Sequence, residues 1–521
     1  MRIPLTPVRC LTRAAELFHE KTGIVCGERR FTYGQMDERC RRLAAALKDA
    51  GLEPGDRVAY LSYNTHQLLE GYYGAPIIRA IVMPLNVRLT RPELTAIVAH
   101  AEPKILFYEP EFASTVSLLR AGSPSFRTVN LDTEYEEFIR HGHPNPIDIT
   151  TYNEDEIAEL FYTSGSTGTP KGVMLSHRTL YLHALNSTGC LNLSHHGVEL
   201  HTIPLFHANG WGRPQTATMM GMKQVMVRRF ECPTVCRLIQ EERATSLSIV
   251  PTMANALLAF EGRRDYDLSS LEQVFIGGAA SSPALIEGLE KAFPCEILAG
   301  YGLTETSPVA TSARRKSTVF YTSDEDRWQR QSYAGWPIFG AEVRVVNTEM
   351  QPVPQDFSTV GEVVIRGDMV MDGYYREPEA TASAIADGWL RTGDMGIWDK
   401  ENYIQIVDRK KDIIISGGEN ISSIEIEKII ALHPSVAETA VVAAPDDKWG
   451  EIPVAFVVTR PGAALLESEL GAWLTARLAK FKIPRRYIIQ SDPLPKGGTG
   501  KILKKDLREP FWRQRQRRVQ G

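Results

Sequence analysis

The run Tyr162-Thr163-Ser164-Gly165-Ser166-Thr167-Gly168-Thr169-Pro170-Lys171-Gly172 places hydroxyls and glycines ahead of a single lysine. Small residues let backbone N–H groups come close to a ligand, and glycine opens the φ > 0 conformations that tight turns use. Successive N–H groups in such a turn form an anion nest. The hydroxyls add donors, and Lys171 adds a mobile positive charge. That combination suits a polyphosphate, although the spacing is not the G-x-x-x-x-G-K-[ST] of a P-loop. Ser/Thr/Gly clusters also make ordinary linkers, so the rest of the chain decides between the two.

Four more segments carry residue types with chemistry in them. Gly277-Gly278-Ala279-Ala280 follows an apolar strand-like run and precedes a helix opening at Pro283; small residues there let a flat ring lie on the backbone, or simply make a tight turn. Gly300-Tyr301-Gly302-Leu303-Thr304-Glu305-Thr306 offers an aromatic between glycines, fit to stack on a base. The Thr and Glu behind it suit a phosphate and its Mg²⁺. Thr392-Gly393-Asp394 reads as a tight turn presenting a carboxylate to ribose hydroxyls, as acidic residues do in other nucleotide sites. Gly497-Gly498-Thr499-Gly500-Lys501 is a second glycine-rich loop presenting one lysine.

The elements that must position these residues divide the 521-residue chain into more than one domain. Short apolar strands at 56–62, 81–84 and 104–108 alternate with helices at 39–50, 67–80 and 91–100, and the rhythm returns at 224–227, 246–250 and 273–276. This predicts parallel sheets covered on both faces. Between about 340 and 406 strands are separated by turns instead, predicting a small β-subdomain. A compact α/β unit follows 408, with strands at 413–415, 437–444 and 454–459 and helices at 424–432 and 466–479. The predicted domains are 1–407, a hinge at 408–411 and a lid at 412–521. The formal net charge of −4 argues against a dedicated nucleic-acid binder. The seven scattered cysteines show no C-x-x-C, so neither a zinc site nor a disulfide framework is expected. Residues 1–10 lack the apolar stretch of a signal peptide, and no run approaches the ~18–20 apolar residues of a membrane span; a cytoplasmic protein without integral membrane contact is expected. The Arg-rich tail Arg508–Arg518 reads as a solvated, frayed terminus.

YTSGSTGTPKG, YGLTET, RTGD, DRKKDIIISGGENISSIEIE and GTGKILK stand in this order along the chain. Together they resemble the adenylate-forming superfamily of acyl-CoA synthetases, peptide-synthetase adenylation domains and beetle luciferases, over essentially the whole chain. The resemblance implies an α/β fold with a large N-terminal portion of two mixed sheets plus a small β-barrel, and a mobile C-terminal lid. It implies ATP, Mg²⁺ and coenzyme A as reactants: a carboxylate attacks the α-phosphorus of ATP, and a thiol then attacks the acyl-adenylate. By position, Thr163, Ser164, Gly165, Ser166, Thr167, Gly168 and Thr169 cradle phosphates with Lys171. Gly278 and Tyr301 flank the adenine, Gly300 and Gly302 belong to the same cofactor site, and Thr304 reaches the α-phosphate. Glu305 with Thr163 holds Mg²⁺, and Asp394 and Arg409 hold the ribose. Lys501 bridges the attacking carboxylate and the α-phosphate, while Lys411 falls on the hinge position. Two departures stand out. Ser166-Thr167 replaces the commoner Thr-Thr, keeping the hydroxyl. An added glycine precedes Thr499-Gly500-Lys501.

The thiol acceptor and the acid are read from further segments. Ser416-Gly417-Gly418-Glu419-Asn420-Ile421, Trp449-Gly450-Glu451 and Lys480-Phe481-Lys482-Ile483-Pro484 resemble the CoA-ligase version of the lid. Gly417 and Gly418 would wall a pantetheine tunnel, and Lys480, Lys482, Arg485 and Arg88 would meet CoA phosphates. His207-Ala208-Asn209-Gly210-Trp211-Gly212 matches the acid-pocket segment, with His207 near the carboxylate and Trp211 and Trp336 against the acyl group. The expected substrate is an apolar monocarboxylic acid, aliphatic before aromatic, with homodimer formation left open. Two alternatives remain at this point. One is a standalone adenylating enzyme that loads an aryl or acyl group onto a carrier protein. The other is an idle nucleotide-binding scaffold, weakened by the presence of Lys171, Glu305, Asp394 and Lys501.

Overall fold

The structure, a computed structural model, describes residues 2–122, 126–164, 170–417, 419–497 and 502–513. The chain divides into two compact units. One comprises Met1–Val343, Ile365–Arg391 and Glu401–Tyr403; the other comprises Arg344–Val364, Thr392–Lys400 and Ile404–Gly521. The chain passes between units within the strands Ala341–Val346, Gly361–Gly367 and Trp389–Trp398, which belong to a five-stranded sheet.

The first unit contains two large mixed sheets. The seven-stranded sheet runs Gly373–Tyr374, Pro170–Ser176, Ile157–Ser164, Ile81–Pro84, Arg57–Leu61, Ile105–Tyr108 and Arg127–Asn130. The nine-stranded sheet centres on the parallel strands Glu296–Tyr301, Gln273–Ile276, Ser246–Ile249, Val198–His201 and Lys223–Met226. Central strands such as Ile81–Pro84 and Ser246–Ile249 are buried at every residue, as sheets covered on both faces require. Their apolar runs explain why the sequence revealed them. Helix boundaries differ where caps decide them. Thr32 and Gln35 form a reciprocal capping box, so the helix predicted from 39 begins at Tyr33 and runs to Asp49. The helix predicted over 67–80 spans His66–Ile77, started by the Thr65 hydroxyl, which accepts from Leu68 N.

The second unit holds an antiparallel core of Val436–Asp446 and Gly450–Thr459, with Ile414–Ser416 and Arg486–Gln490 on the latter strand. The helices Ser423–Ala431 and Glu467–Thr475 contribute Ile426, Ile430, Leu470 and Leu474 to its apolar core. Two expectations are corrected here. Asp394 does not lie in a tight turn: it sits inside the ten-residue strand Trp389–Trp398, where Gly393 takes φ +69 and the ladder shifts register just after Met395. Arg508 is not part of a frayed terminus: the helix Lys504–Trp512 carries it to the carbonyl of Lys411 at 2.8 Å and to Asp412 at 3.2 Å. Among the described residues no helix is long and apolar enough to cross a membrane, and all seven cysteines are free thiols.

Candidate active site

In the first unit the glycine-rich run joins two antiparallel strands, Ile157–Ser164 and Pro170–Ser176, in which Thr163 stands directly opposite Lys171. Directly paired residues share a sheet face, so the threonine hydroxyl and the lysine ammonium emerge on one side of the hairpin. Residues 165–169, which hold the expected cradle of Gly165, Ser166, Thr167, Gly168 and Thr169, lie outside the described residues. Lys171 Nζ lies over the ring of Tyr374, 4.9 Å from its centroid. The Tyr374 hydroxyl donates to Glu305 Oε1 at 2.9 Å. Glu305 occupies a single 3₁₀ turn, Thr304–Thr306, fixed by Met371 N donating to the Glu305 carbonyl. Thr163, Lys171, Tyr374 and Glu305 thus form one chain of neighbours. The carboxylate and hydroxyl are hard oxygen donors of the kind Mg²⁺ accepts. No group of three acidic, His or Cys side chains that could hold a metal exists among the described residues.

Around the expected adenine position, the glycines have reasons of their own. A Cβ on Gly300 would lie 2.2 Å from the Phe275 ring, and one on Gly302 would lie 1.8 Å from the Pro308 carbonyl oxygen. Both are small because the chain packs on itself there. A Cβ on Gly278 would meet the Trp211 indole at 3.1 Å, and one on Gly277 would meet it at 3.4 Å. Trp211 is therefore packed across the Gly277-Gly278 backbone. It joins Leu191, Ile203, Phe275 and Leu298 in an apolar cluster, with the Phe275 ring edge-on at 6.2 Å. The helical segment Ala208–Met220, which follows His207, opens with Ala208, Gly210, Trp211 and Gly212 all at positive φ. A tryptophan at φ +61 is a true conformational outlier, and such strain persists only where the surroundings enforce it. Thr304 is buried and Tyr301 half-buried. Trp336 points its Nε1 at the Arg314 carbonyl, 2.7 Å away, with Lys316 over its ring.

His183, unmarked by any sequence motif, belongs to this neighbourhood. Its Cε1 would be 2.3 Å from a Cβ on Gly212, and its Nε2 accepts from Val309 N at 3.3 Å. Burial, aided by the charge of Arg213, holds its pKa down to about 3.

In the second unit, Asp394 and Arg409 are cross-strand partners joined by a 3.0 Å ion pair. Asp394 N also donates to Thr392 Oγ1. Gly417 and Trp449 come together: Gly417 N donates to the Trp449 carbonyl at 2.7 Å, and a Cβ on Gly417 would strike the indole at 2.8 Å. Arg485 and Lys448 flank that indole at 5.2 and 5.0 Å. An aromatic face ringed by cations suits a nucleotide with its phosphates. Lys480 is exposed, whereas Lys482 is engaged by both oxygens of Glu425 at 2.7 Å. Lys411 is held through its carbonyl by Arg508. Gly418 and Lys501 lie outside the described residues. A buried cluster missed in the sequence joins Asp408 to this set. Ser423 donates to Asp408 Oδ2 from both N and Oγ, and Lys504 Nζ reaches Ser423 Oγ at 2.6 Å and Glu427 at 2.7 Å.

The AMP-binding enzyme model matches residues 11–375, and the AMP-binding enzyme C-terminal domain model matches residues 425–501. A butyrate–CoA ligase of Arabidopsis thaliana, named as peroxisomal, is 36% identical over 97% of this chain and 93% of its own. A long-chain-fatty-acid–CoA ligase of Thermus thermophilus is 37% identical over 96% and 94%. The crystal structure of ATP-bound MatB from Rhodopseudomonas palustris superposes with a TM-score of 0.86 at 28% identity, covering 97% of this chain and 99% of that one. The chain belongs to the AMP-binding enzyme family. Within it, the protein is an acid–thiol ligase of the AMP-forming acyl-CoA synthetase class, whose reactants are a carboxylic acid, ATP with Mg²⁺, and coenzyme A.

Proposed function

We propose that this acyl-CoA synthetase activates an apolar monocarboxylic acid, aliphatic in preference to aromatic, in the cytoplasm. The observation that carries the substrate reading is the apolar cluster of Trp211, Leu191, Ile203, Phe275 and Leu298 beside Gly277-Gly278. Similar proteins are named for butyrate and for long-chain fatty acids. In this reading the residues at 163–169 and Lys171 bind the ATP phosphates, and Thr163 and Glu305 hold Mg²⁺. That ion, when bound, neutralises charge on the phosphates. Gly278 and Tyr301 flank adenine, with Gly300 and Gly302 in the same cofactor site. Thr304 touches the α-phosphate, and Asp394 with Arg409 fixes the ribose. His207 lies by the carboxylate, with Trp211 and Trp336 against the acyl group. Lys501 aligns carboxylate and α-phosphorus, a contribution of positioning and charge. Residues 408–411 act as the hinge of a lid at 412–521, and Gly417, Gly418, Trp449, Lys480 and Lys482 receive CoA.

The test is pyrophosphate release across a graded series of aliphatic and aryl acids, with and without CoA. The expected result is acid-dependent release and thioester formation, highest for unsubstituted aliphatic acids. A preference for charged or hydroxylated acids, or release without any CoA thioester, overturns the reading.

A further inference from the structure

Tyr374 stands in none of the five motifs, yet it touches two of the residues they supply. It lies in the two-residue strand Gly373–Tyr374, paired antiparallel to Pro170–Ser176 with Tyr374 opposite Val173. That strand is fastened on both sides. Tyr375 N donates to the Gly172 carbonyl at 2.7 Å and Asp372 N to the Met174 carbonyl at 3.0 Å. Tyr374 N donates to Thr381 Oγ1 at 2.8 Å, and Ser176 N donates back to Asp372 Oδ2 at 2.9 Å. Gly172 permits the approach, since a Cβ there would crowd Tyr375 Cβ at 3.3 Å. The Tyr374 backbone is thus fixed, and its ring and hydroxyl are presented at defined points.

The ring face receives the Lys171 ammonium, and the hydroxyl holds Glu305 Oε1. Two opposite charges meet one side chain without pairing to each other: among the described residues, Lys171 and Glu305 form no ion pair. A direct pair would neutralise the cation that a phosphate needs and occupy the carboxylate that a metal needs. A phenol solves both problems. Its π face holds an ammonium without removing its charge. Its O–H fixes one carboxylate oxygen and leaves the second open.

Resting on the reading of Glu305 as the Mg²⁺ ligand, we propose that Tyr374 is a positioning residue that sets the Mg²⁺ dependence of ATP binding. It does so by orienting Glu305 and by keeping Lys171 and Glu305 from collapsing onto each other. It touches neither acid nor reacting phosphorus. Its effect belongs to the binding of ATP, its hydroxyl acting on the metal-dependent part and its ring on Lys171, and not to thioester formation.

The experiment is calorimetric binding of ATP to the full-length enzyme over a range of Mg²⁺, without acid or CoA, so that no turnover contributes. Thermal melts of each variant accompany it. Tyr374→Phe keeps the ring and removes the hydroxyl. It should raise the Mg²⁺ needed for half-maximal ATP affinity about ten-fold, as loss of a partner that orients a metal ligand does. Its binding of ATP in EDTA and its melting temperature should stay close to wild type. Tyr374→Leu removes both contacts and should also weaken ATP binding in EDTA, because Lys171 is then drawn to Glu305. Glu305→Gln separates the two levels of the argument. If Glu305→Gln shifts the Mg²⁺ dependence and Tyr374→Phe does not, the role of Tyr374 is overturned while the metal site stands. If Glu305→Gln leaves the Mg²⁺ dependence unchanged, the metal site fails and the role of Tyr374 fails with it. Should Tyr374→Leu not fold, the phenylalanine variant decides alone.

Discussion

Arg409 Nε lies 3.0 Å from Asp394 Oδ1, across a strand pair in which the two residues are direct partners. The carboxylate is almost wholly buried, while the guanidinium is 44% exposed. The arginine therefore orients a carboxylate that has little other access to water. Removing the carboxylate should matter more than removing its partner. Asp394→Ala is expected to weaken ATP binding by roughly 10- to 100-fold, the ~1.5–3 kcal/mol of hydrogen bonds to a charged group. It should also abolish discrimination between ATP and 2′-deoxy-ATP. Competition binding with both nucleotides measures this; a variant that still prefers ATP to the same degree places the ribose elsewhere.

Trp211 is buried against a glycine backbone, so its truncation has two consequences. Trp211→Ala should lose about 3–5 kcal/mol of stability, as buried aromatic truncations do. It should also raise the relative kcat/KM for longer acids, each newly buried methylene adding up to ~0.8 kcal/mol. A chain-length series run beside a thermal melt separates the effects. A lowered melting temperature with unchanged rank order makes Trp211 a packing residue only.

The backbone of the expected hinge is restrained from the C-terminal helix through the bond from Arg508 to the Lys411 carbonyl. Proline at position 411 fixes φ near −65° and blocks any motion that needs another value. Lys411→Pro should leave adenylation near normal and suppress thioester formation. Single-turnover kinetics of the two half-reactions provide the check, and an unchanged second step moves the hinge elsewhere.

His183 gives the protein an acid-side weakness. Its native pKa is depressed to about 3 by burial, below the ~6.5 of a free imidazole. Between these values the unfolded chain binds a proton that the native state refuses, so stability falls as pH falls, by up to about 1.4 kcal/mol per pH unit for one group. His177, depressed to about 4 by burial, acts in the same direction. Denaturant unfolding from pH 7 to pH 4 should show this slope, and His183→Gln should reduce it by about one proton. An unaltered slope in that variant assigns the acid sensitivity to other groups.

What could be read before the structure depended on length and burial. Strands such as Ile81–Pro84 and Gln273–Ile276 are continuous apolar runs, and their positions were legible to within a residue or so. Asp394 was misplaced because Thr-Gly-Asp carries the signature of a turn, whereas flanking residues hold it in a long strand with one irregular step. Tyr374 was invisible because a two-residue strand has no periodicity. His183 was invisible, and Asp408, Glu427 and Lys504 stood inside quoted motifs without showing that they meet, because their partners lie far away in sequence. Lys482 was legible as a basic residue but not as a partner of Glu425, since pairing belongs to the folded unit. The glycines at 300 and 302 were read as part of a nucleotide site, whereas the cause the structure gives for them is steric, against Phe275 and Pro308.

The stretch that contains Lys501 is closed at its base. Lys496 and Ile502 form a bridge, Leu503 N donates to the Pro495 carbonyl at 2.8 Å, and Lys496 is tied to Glu438. Just beyond, Lys504 is rooted in the cluster with Ser423 and Glu427, and Asp408 hangs from the same serine. Mechanically these are two feet bolted to one plate: Lys496 and the run from Ile502 to Lys504 share a footing made by Glu438, Ser423 and Glu427, so loosening either foot should loosen the other.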